Sequence, residues 1–261
     1  MSRQVGAIWD PAQYGVFGDE RARPFAELLA RVDLAAPGHI VDLGCGSGEL
    51  TASLLRRWPD AKIEALDSSP EMIAAAQGIP GKLTFSVGDV ATWRPERPVD
   101  LIISNAVLQW VPTHKDLLPR WIEALAPGGR LAFQVPGNFD APSHALLREI
   151  CTSPRWRAKL GDALRRHPVL DPSGYLDLLS RHGCTVDAWE TTYAQLLQGD
   201  DPVLEWVKGT ALRPILTRLD PAETAEFLAE YGARLREAYP LAPYGTVFPF
   251  RRIFVVASGG P

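Results

Sequence analysis

Three glycines stand at alternate positions in the stretch Gly44-Cys45-Gly46-Ser47-Gly48, which lies between an apolar run and a helical pattern. Glycine adopts positive φ without strain, and it lets a ligand lie directly against the backbone. An ordinary strand-to-helix turn needs fewer glycines than this. The stretch therefore predicts a ligand-binding loop, with the helix beginning directly after it.

Carboxylates flank this glycine loop, Asp42 before it and Glu49 after it. A dinucleotide site has the spacing Gly-x-Gly-x-x-Gly, whereas the spacing here is Gly-x-Gly-x-Gly. Negative side chains at a helix start also disfavour a pyrophosphate. The loop therefore predicts a ligand that has a positive centre and no phosphate.

Two further aspartates follow later apolar runs, Asp67 in "EALDSSPEM" and Asp89 in "SVGDVATW". At the carboxyl end of a strand, an aspartate such as Asp67 is placed to accept both hydroxyls of a ribose. Asp89 is then suited to the exocyclic amine of an adenine. An aspartate before Ser-Ser-Pro is also typical of a plain helix start, but the distance of Asp67 from the glycine loop favours the ribose.

Short apolar runs alternate with helical patterns through the first half of the chain. This rhythm predicts a parallel, doubly wound α/β sheet with right-handed crossovers. The segment "LAPGGRL" is interpreted as a helix end that leads into the fifth strand. The predicted strands are "HIVDL" (39–43), "KIEAL" (62–66), "LTFSV" (83–87), "VDLIIS" (99–104) and "RLAFQV" (130–135).

Helical patterns interrupt this rhythm at about residues 140–170 and 200–240, with helix and strand between them and a last strand at 251–257. Ligands of open α/β sheets bind at the carboxyl edge of the strands, where such insertions would project. We therefore expect one domain over residues 1–261, with the two insertions forming a helical lid.

Residues 39–136 resemble the class I S-adenosylmethionine-dependent methyltransferases in four ordered motifs, "VDLGCGSG", "LDSSPEM", "GDV" and "VDLIISNAVLQWV". The resemblance implies a Rossmann-like, mostly parallel seven-stranded sheet with an antiparallel last strand. It also implies S-adenosylmethionine as cofactor, with the glycines at its methionine end and Asn105 and Gln109 at its sulfonium side. The implied cofactor-binding residues are Asp42, Gly44, Cys45, Gly46, Gly48, Asp67, Ser68, Met72, Asp89, Val90, Asn105 and Gln109.

A narrower resemblance runs over nearly the whole chain. The stretches "WDPAQYGVFGDERARPFAELLARV", "SNAVLQWVP", "GTALRPIL" and "FPFRRIFVVA" are similar to the trans-aconitate 2-methyltransferases. This implies methyl-ester formation on a small polycarboxylate, gripped by arginines that can form two parallel hydrogen bonds with a carboxylate. The candidate substrate-binding residues are Tyr14, Phe17, Arg21, Trp110, His144, Arg213 and Arg252, while Arg23 and Arg251 are left open.

A carboxylate is ionised at neutral pH and is already a nucleophile, so the reaction needs no general base. We therefore predict no catalytic acid or base, only positioning by Gln109 and Trp110. Two alternatives stay open: a methyltransferase for another small carboxylic acid or metabolite, and a regulatory protein that binds S-adenosylmethionine without chemistry.

The composition of the chain limits the classes of partner that we expect the protein to bind. Lysine and arginine total 27 against 31 aspartates and glutamates, a net charge of −4, which disfavours nucleic acid. No window approaches the roughly 18 uninterrupted apolar residues of a membrane span. The three cysteines lack metal-ligand spacing. We expect a cytoplasmic protein that binds a small molecule, no metal, no membrane and no nucleic acid, with a monomer favoured.

Overall fold

The computed structural model describes residues 18–164 and 168–259, with side chains from residue 22 onward. Tyr14 and Phe17 lie outside the described residues, and the side chain of Arg21 does too. The described chain divides into two compact units. The sheet unit comprises residues 18–136, 169–191 and 252–259, and the helical unit comprises residues 137–164, 168 and 192–251.

The sheet follows the order β3-β2-β1-β4-β5-β8-β6, and β7 pairs with β8. Strands β1 to β5 pair in parallel, and β8 runs antiparallel to β5. The predicted doubly wound, mostly parallel sheet with an antiparallel last strand is confirmed. The strands are β1 (His39–Leu43), β2 (Lys62–Asp67), β3 (Leu83–Val87), β4 (Val99–Asn105), β5 (Leu125–Pro136), β6 (Thr185–Leu197), β7 (Leu241–Ala242) and β8 (Gly245–Ser258).

Several helices begin with proline directly after a capping residue, a position where proline loses no hydrogen bond. Asp220 caps its helix by accepting from the backbone N–H groups of Ala222 and Glu223, at 2.9 Å each. The helices of the described chain are α1 (Gly18–Ala30), α2 (Glu49–Arg57), α3 (Pro70–Ala76), α4 (His114–Glu123), α5 (Pro142–Thr152), α6 (Arg157–Leu160), α7 (Pro172–Ser180), α8 (Pro202–Lys208), α9 (Arg213–Leu216) and α10 (Pro221–Ala238).

The core of the sheet unit explains its apolar strands. Every residue of β1 is buried, as expected for a central parallel strand with both faces covered. From α4, Leu118 and Trp121 pack into the same cluster as Phe133 of β5. The carboxyl ends of β1, β2 and β4 consequently meet at one edge of a well-packed sheet.

The helical unit has a core of its own. The rings of Trp156 and Phe227 meet edge to face, with centroids 5.4 Å apart. The Tyr231 hydroxyl donates to the carbonyl of Ser143 at 2.9 Å, and the Ser143 N–H donates to the Tyr239 hydroxyl at 3.0 Å. These contacts bind α10 to the start of α5. None of the helices in the described part of the chain is long and apolar enough to cross a membrane.

One local prediction was wrong. The segment "LAPGGRL" belongs to β5, because α4 ends at Glu123 and β5 begins at Leu125. Within the helical insertion predicted at about 200–240, the stretch "DPVLEWVKGTALRPILTRL" forms two short helices, α8 and α9. Pro214 lacks the N–H that a helix interior needs, so it fits only the first turn of a new helix.

Candidate active site

The glycine loop leaves β1 with all three glycines at positive φ, +89° for Gly44, +56° for Gly46 and +81° for Gly48. Packing explains two of them: a Cβ at Gly44 would lie 2.2 Å from a methyl of Val107, and one at Gly48 would lie 2.8 Å from the Phe85 ring. A Cβ at Gly46 would meet no described atom within 4 Å. Gly46 is therefore the position in this loop where a ligand has room against the backbone.

Asp67 holds the loop from the end of the neighbouring strand. Its Oδ2 accepts from the Gly46 N–H at 2.9 Å, and its Oδ1 accepts from the Ser69 N–H at 2.9 Å. Each carboxylate oxygen can accept more than one hydrogen bond, so Asp67 retains capacity for a ligand hydroxyl. The structure thus brings Asp67 directly to the loop, as its position at the carboxyl end of β2 predicts.

Asp42 is buried in β1, where its Oδ2 accepts from the Thr51 hydroxyl at 2.6 Å. Burial is the largest cause that raises the pKa of Asp42 to about 7; the hydrogen bond from Thr51 opposes this shift, and the nearby charge of Asp67 adds to it. A positive ligand at the loop would stabilise the ionised form. The same burial and both carboxylates raise the pKa of the Cys45 thiol, so this thiol stays protonated.

The other residues that are predicted to contact adenine and ribose differ in their exposure to solvent. Ser68 and Asp89 are exposed, while Met72 and Val90 are buried. The Oδ1 of Asp89 accepts from the Ala91 N–H at 2.8 Å, which fixes the turn after β3. Asp89 and Ser68 are thus accessible for polar contacts, whereas Met72 and Val90 form part of the packed core.

The loop after β4 contains a non-glycine residue at positive φ, Ala106 at +58°. The Ala106 N–H donates to the Gln134 carbonyl at 2.8 Å, and its carbonyl accepts from the Gln109 amide nitrogen at 2.6 Å. Such a conformation costs about 1–2 kcal/mol for an L-residue. Gln109 is buried and holds this turn, while Trp110 is partly exposed beside it.

Arg252 is buried, and its Nη1 donates to Gln134 Oε1 at 3.1 Å. Gln134 is a residue that the sequence prediction missed, although a glutamine inside the apolar run "RLAFQV" is itself a signal. The neighbouring Arg251 is less buried and donates through Nη1 to the Gly137 carbonyl at 3.3 Å. The two arginines thus differ as alternation along a strand predicts.

The remaining candidates, His144 and Arg213, belong to the helical unit. Burial, followed by the charge of Arg148, lowers the pKa of His144 to about 4. Its imidazole is therefore neutral near pH 7 and offers a carboxylate a hydrogen bond but no opposite charge. Arg213 is half-buried at the first residue of α9. Arg23 is exposed.

A cavity of about 310 Å³ in the helical unit shares no residue with the candidate site. Two charged residues of its lining pair with each other, because Arg236 Nη1 donates to both carboxylate oxygens of Asp201 at 2.7 and 2.8 Å. Its other walls are mainly apolar, with Leu204 and Leu235 among them. This lining does not match an anionic substrate.

Comparisons with known proteins agree with the fold and the loop. A family model described as a methyltransferase domain matches residues 17–188. Among solved structures, the YcgJ protein of Bacillus subtilis superposes with a TM-score of 0.60 at 12% identity, covering 92% of this chain and 99% of that one. The cyclase SpnF superposes with a TM-score of 0.58 at 15% identity, covering 98% and 88%. The fold alone therefore does not decide the chemistry.

The sheet order and the glycine loop, together with the family model, define a methyltransferase of the Rossmann-like class. Two curated relatives named trans-aconitate 2-methyltransferase are close in sequence. One from Streptomyces avermitilis is 56% identical over 95% of this chain and 96% of its own length, and one from Rhodococcus jostii is 53% identical over 96% and 99%. The chain belongs to the trans-aconitate 2-methyltransferase family of S-adenosylmethionine-dependent enzymes.

The glycine geometry yields a prediction with an internal control. We expect Gly44→Ala to destabilise the fold by about 2–5 kcal/mol, because a left-handed alanine and a clash with Val107 add together. Gly46→Ala meets open space and should cost only about 1–2 kcal/mol. Urea denaturation measures both. If Gly46 lies against a ligand, its added methyl should still weaken cofactor binding about 10–100-fold by calorimetry. Unchanged affinity in a folded Gly46→Ala protein would contradict this placement.

Proposed function

We propose that this protein transfers a methyl group from S-adenosylmethionine to a carboxylate of trans-aconitate and forms a monomethyl ester. The observation that carries the proposal is the 56% identity with a protein of that name over 95% of the chain. The carboxylates that flank the glycine loop disfavour a phosphate, and this supports S-adenosylmethionine as the cofactor. The substrate assignment depends on the relatives and on the candidate arginines.

The residues of the sheet unit fit this cofactor. Gly46 offers open backbone, and Asp67 has spare acceptor capacity one strand away. Asp42 is a buried carboxylate whose ionised form a cationic ligand would stabilise. We assign the methionine end to the glycine loop, the ribose to Asp67 and the adenine edge to Asp89.

When bound, S-adenosylmethionine would supply an electrophilic methyl on a sulfonium. An acceptor carboxylate would bond to that methyl carbon as the sulfur–methyl bond breaks, which gives an ester and a neutral thioether as leaving group. No proton moves, so the protein needs no general base. The negative charge of the carboxylate and the positive charge of the sulfonium cancel in the transition state. A site that excludes water favours this cancellation. Alignment alone can supply roughly 7–11 kcal/mol, and we assign that task to Gln109, Trp110 and Asn105.

Three substrate carboxylates require positive partners, because an unpaired charge in a closed site costs several kcal/mol. Arg213 and Arg252 are our candidates for this pairing. The neutral state of His144 makes it a weaker one. It stays a prediction that residues of about 140–170 and 200–240 form a lid. It also stays a prediction that Tyr14, Phe17 and Arg21 contact the substrate.

The deciding experiment measures methyl transfer from radiolabelled S-adenosylmethionine to trans-aconitate, cis-aconitate, isocitrate and a medium-chain fatty acid, side by side. We expect trans-aconitate to be labelled most efficiently. Labelling of the fatty acid alone would favour the alternative acceptor class. Cofactor binding with no labelling of any acid would favour a regulatory protein.

A cytoplasmic location and a monomeric state are further proposals, to be tested by fractionation and light scattering.

Asp42 predicts how stability depends on pH. Its pKa is raised from 3.8 to about 7, so between these values the folded state keeps a proton that the unfolded chain has released. The free energy of unfolding therefore falls as the pH rises from about 4 to about 7. Asp42→Asn cannot ionise but keeps an oxygen for Thr51. At pH 8 it should exceed the parent protein by on the order of 4 kcal/mol, since one pKa unit is about 1.4 kcal/mol.

The measurement is urea denaturation at pH 4 and pH 8, with Asp60→Asn as control because the Asp60 side chain is fully exposed. The Asp42→Asn advantage should vanish near pH 4, and an equal difference at both pH values would contradict the assignment. Binding of the cationic cofactor near pH 7 should also release a proton from Asp42. Calorimetry in two buffers of different ionisation enthalpy detects that proton, which the Asp42→Asn protein should not release.

A further inference from the structure

A row of three polar side chains, two buried and one half-buried, crosses the sheet unit near the carboxyl ends of β4 and β5. Gln134 of β5 pairs in register with Asn105 of β4 on one side and with Phe254 of β8 on the other. Arg252 lies two residues from Phe254, so it shares the face of Gln134. Gln134 Nε2 donates to Asn105 Oδ1 at 2.7 Å, and Arg252 Nη1 donates to Gln134 Oε1 at 3.1 Å.

Burying these polar side chains costs free energy unless their hydrogen bonds are satisfied. Gln134 is fully buried and Arg252 is 5% exposed. A buried amide without partners loses the hydrogen bonds that water would give, and this loss typically exceeds the gain from a mere packing role. A leucine would fill the same place in an apolar strand without that cost. The glutamine avoids that cost because its two different ends bond two different neighbours.

The direction of every bond in the row follows from Arg252. A guanidinium has only donors, so Gln134 must turn its oxygen toward Arg252 and its NH2 toward Asn105. Asn105 must then present its oxygen to Gln134. Its own NH2 group is consequently turned away from Gln134, at the end of β4.

We propose that Gln134 is a positioning residue that makes the end of β4 a hydrogen-bond donor, with the Asn105 amide hydrogens directed to the acceptor carboxylate. The inference rests on the proposed function, because it takes a carboxylate as the group that Asn105 meets. It also revises the expected role of Asn105, since N–H donors repel a sulfonium and attract a carboxylate.

Two variants of Gln134 separate this role from a structural one. In Gln134→Glu, the introduced carboxylate accepts from Arg252 and also requires a donor from Asn105, so the Asn105 amide turns over and presents oxygen to the substrate. In Gln134→Met, Asn105 is held in neither direction and Arg252 loses this partner. Stability should therefore rank Glu above Met, because only glutamate keeps the bond between position 134 and the buried Arg252.

Activity should rank in the opposite order. We expect Gln134→Glu to lose about 10–100-fold in kcat/KM for trans-aconitate and Gln134→Met to lose less, since only the former places an acceptor against the carboxylate. Cofactor affinity should stay within about threefold of the parent value in both, because neither variant touches the glycine loop. If Glu exceeds Met in activity as well as stability, Gln134 is structural and the proposal fails.

A direct readout does not depend on the reaction. In protein labelled with 15N at asparagine side chains, the Asn105 amide hydrogens should exchange rapidly with solvent in the parent protein and slowly in Gln134→Glu, where one of them bonds the new carboxylate. Equal exchange in both proteins would overturn the proposal. If the parent protein methylates no polycarboxylate, the proposed function fails, while this exchange measurement still decides the orientation of Asn105.

Discussion

Asp67→Ala should raise the dissociation constant of S-adenosylmethionine by about 100-fold or more. We assign both ribose hydroxyls to this carboxylate, and hydrogen bonds to a charged group contribute about 1.5–3 kcal/mol each. The same substitution frees the Gly46 and Ser69 N–H groups, which Asp67 now holds at 2.9 Å. The loop should therefore lose both its ligand contact and its shape, and calorimetric titration measures the combined effect.

The strand that carries Asp67 also supplies its control. Asp60 precedes the opposite end of β2, with a fully exposed side chain 3.7 Å from Lys82. Asp60→Ala removes the same charge and should leave cofactor affinity unchanged. Asp67→Asn, which keeps one acceptor oxygen, should fall between alanine and the parent protein. If Asp67→Ala binds S-adenosylmethionine as well as Asp60→Ala does, the ribose assignment is wrong.

The sequence predicted the sheet well because central parallel strands are buried on both faces. "HIVDL" matches β1, a central strand whose residues are all buried, to the residue. "LTFSV" also matches β3 to the residue, although β3 is an edge strand with mostly exposed residues. The first two aspartates of the site could be placed for a related reason: Asp42 lies within β1 and Asp67 ends β2, and adjacent parallel strands end at one edge. Topology alone brings these side chains to the loop.

Other features carried no local signal. Alanine at position 106 gives no indication of a φ of +58°. Its N–H bonds the Gln134 carbonyl, which is distant along the chain, and its carbonyl accepts from Gln109 three residues further on. The start of β5 was missed because the two glycines of "LAPGGRL" are typical of a helix end, whereas β5 pairs with β4 on both sides of them, at Leu125 and Arg130, across a register shift. Tertiary contacts decided both cases.

The glycines show how one pattern can have two causes. Sequence reasoning attributed all three to a ligand, but Gly44 and Gly48 are already required by Val107 and Phe85, which approach within 3 Å of a built Cβ. Only Gly46 lacks such a neighbour among the described residues. A motif therefore marks a site without showing which of its members serve the ligand.

The substrate assignment predicts a large effect at Arg213. Loss of one partner of a desolvated charge pair costs about 2–5 kcal/mol, so Arg213→Met should lower kcat/KM for trans-aconitate by about 30-fold or more. The change should appear mainly in KM, because a carboxylate remote from the reacting one contributes to binding in the ground state as well. Cofactor affinity should not change. Steady-state kinetics with varied trans-aconitate, together with cofactor titration, separate these effects.

A neighbouring arginine provides the matched control for Arg213. Arg218 is exposed and already paired with Asp162, at 2.5 Å from Nη1 to Oδ1. Surface pairs of this kind contribute about 0–1 kcal/mol, so Arg218→Met should retain parent kinetics. The loss at Arg213 should also shrink for a dicarboxylate that lacks the paired group, because no charge is then left unmatched. Equal kinetics for Arg213→Met and Arg218→Met on trans-aconitate would remove Arg213 from the substrate site and leave Arg252 as the stronger of the arginine candidates that remain.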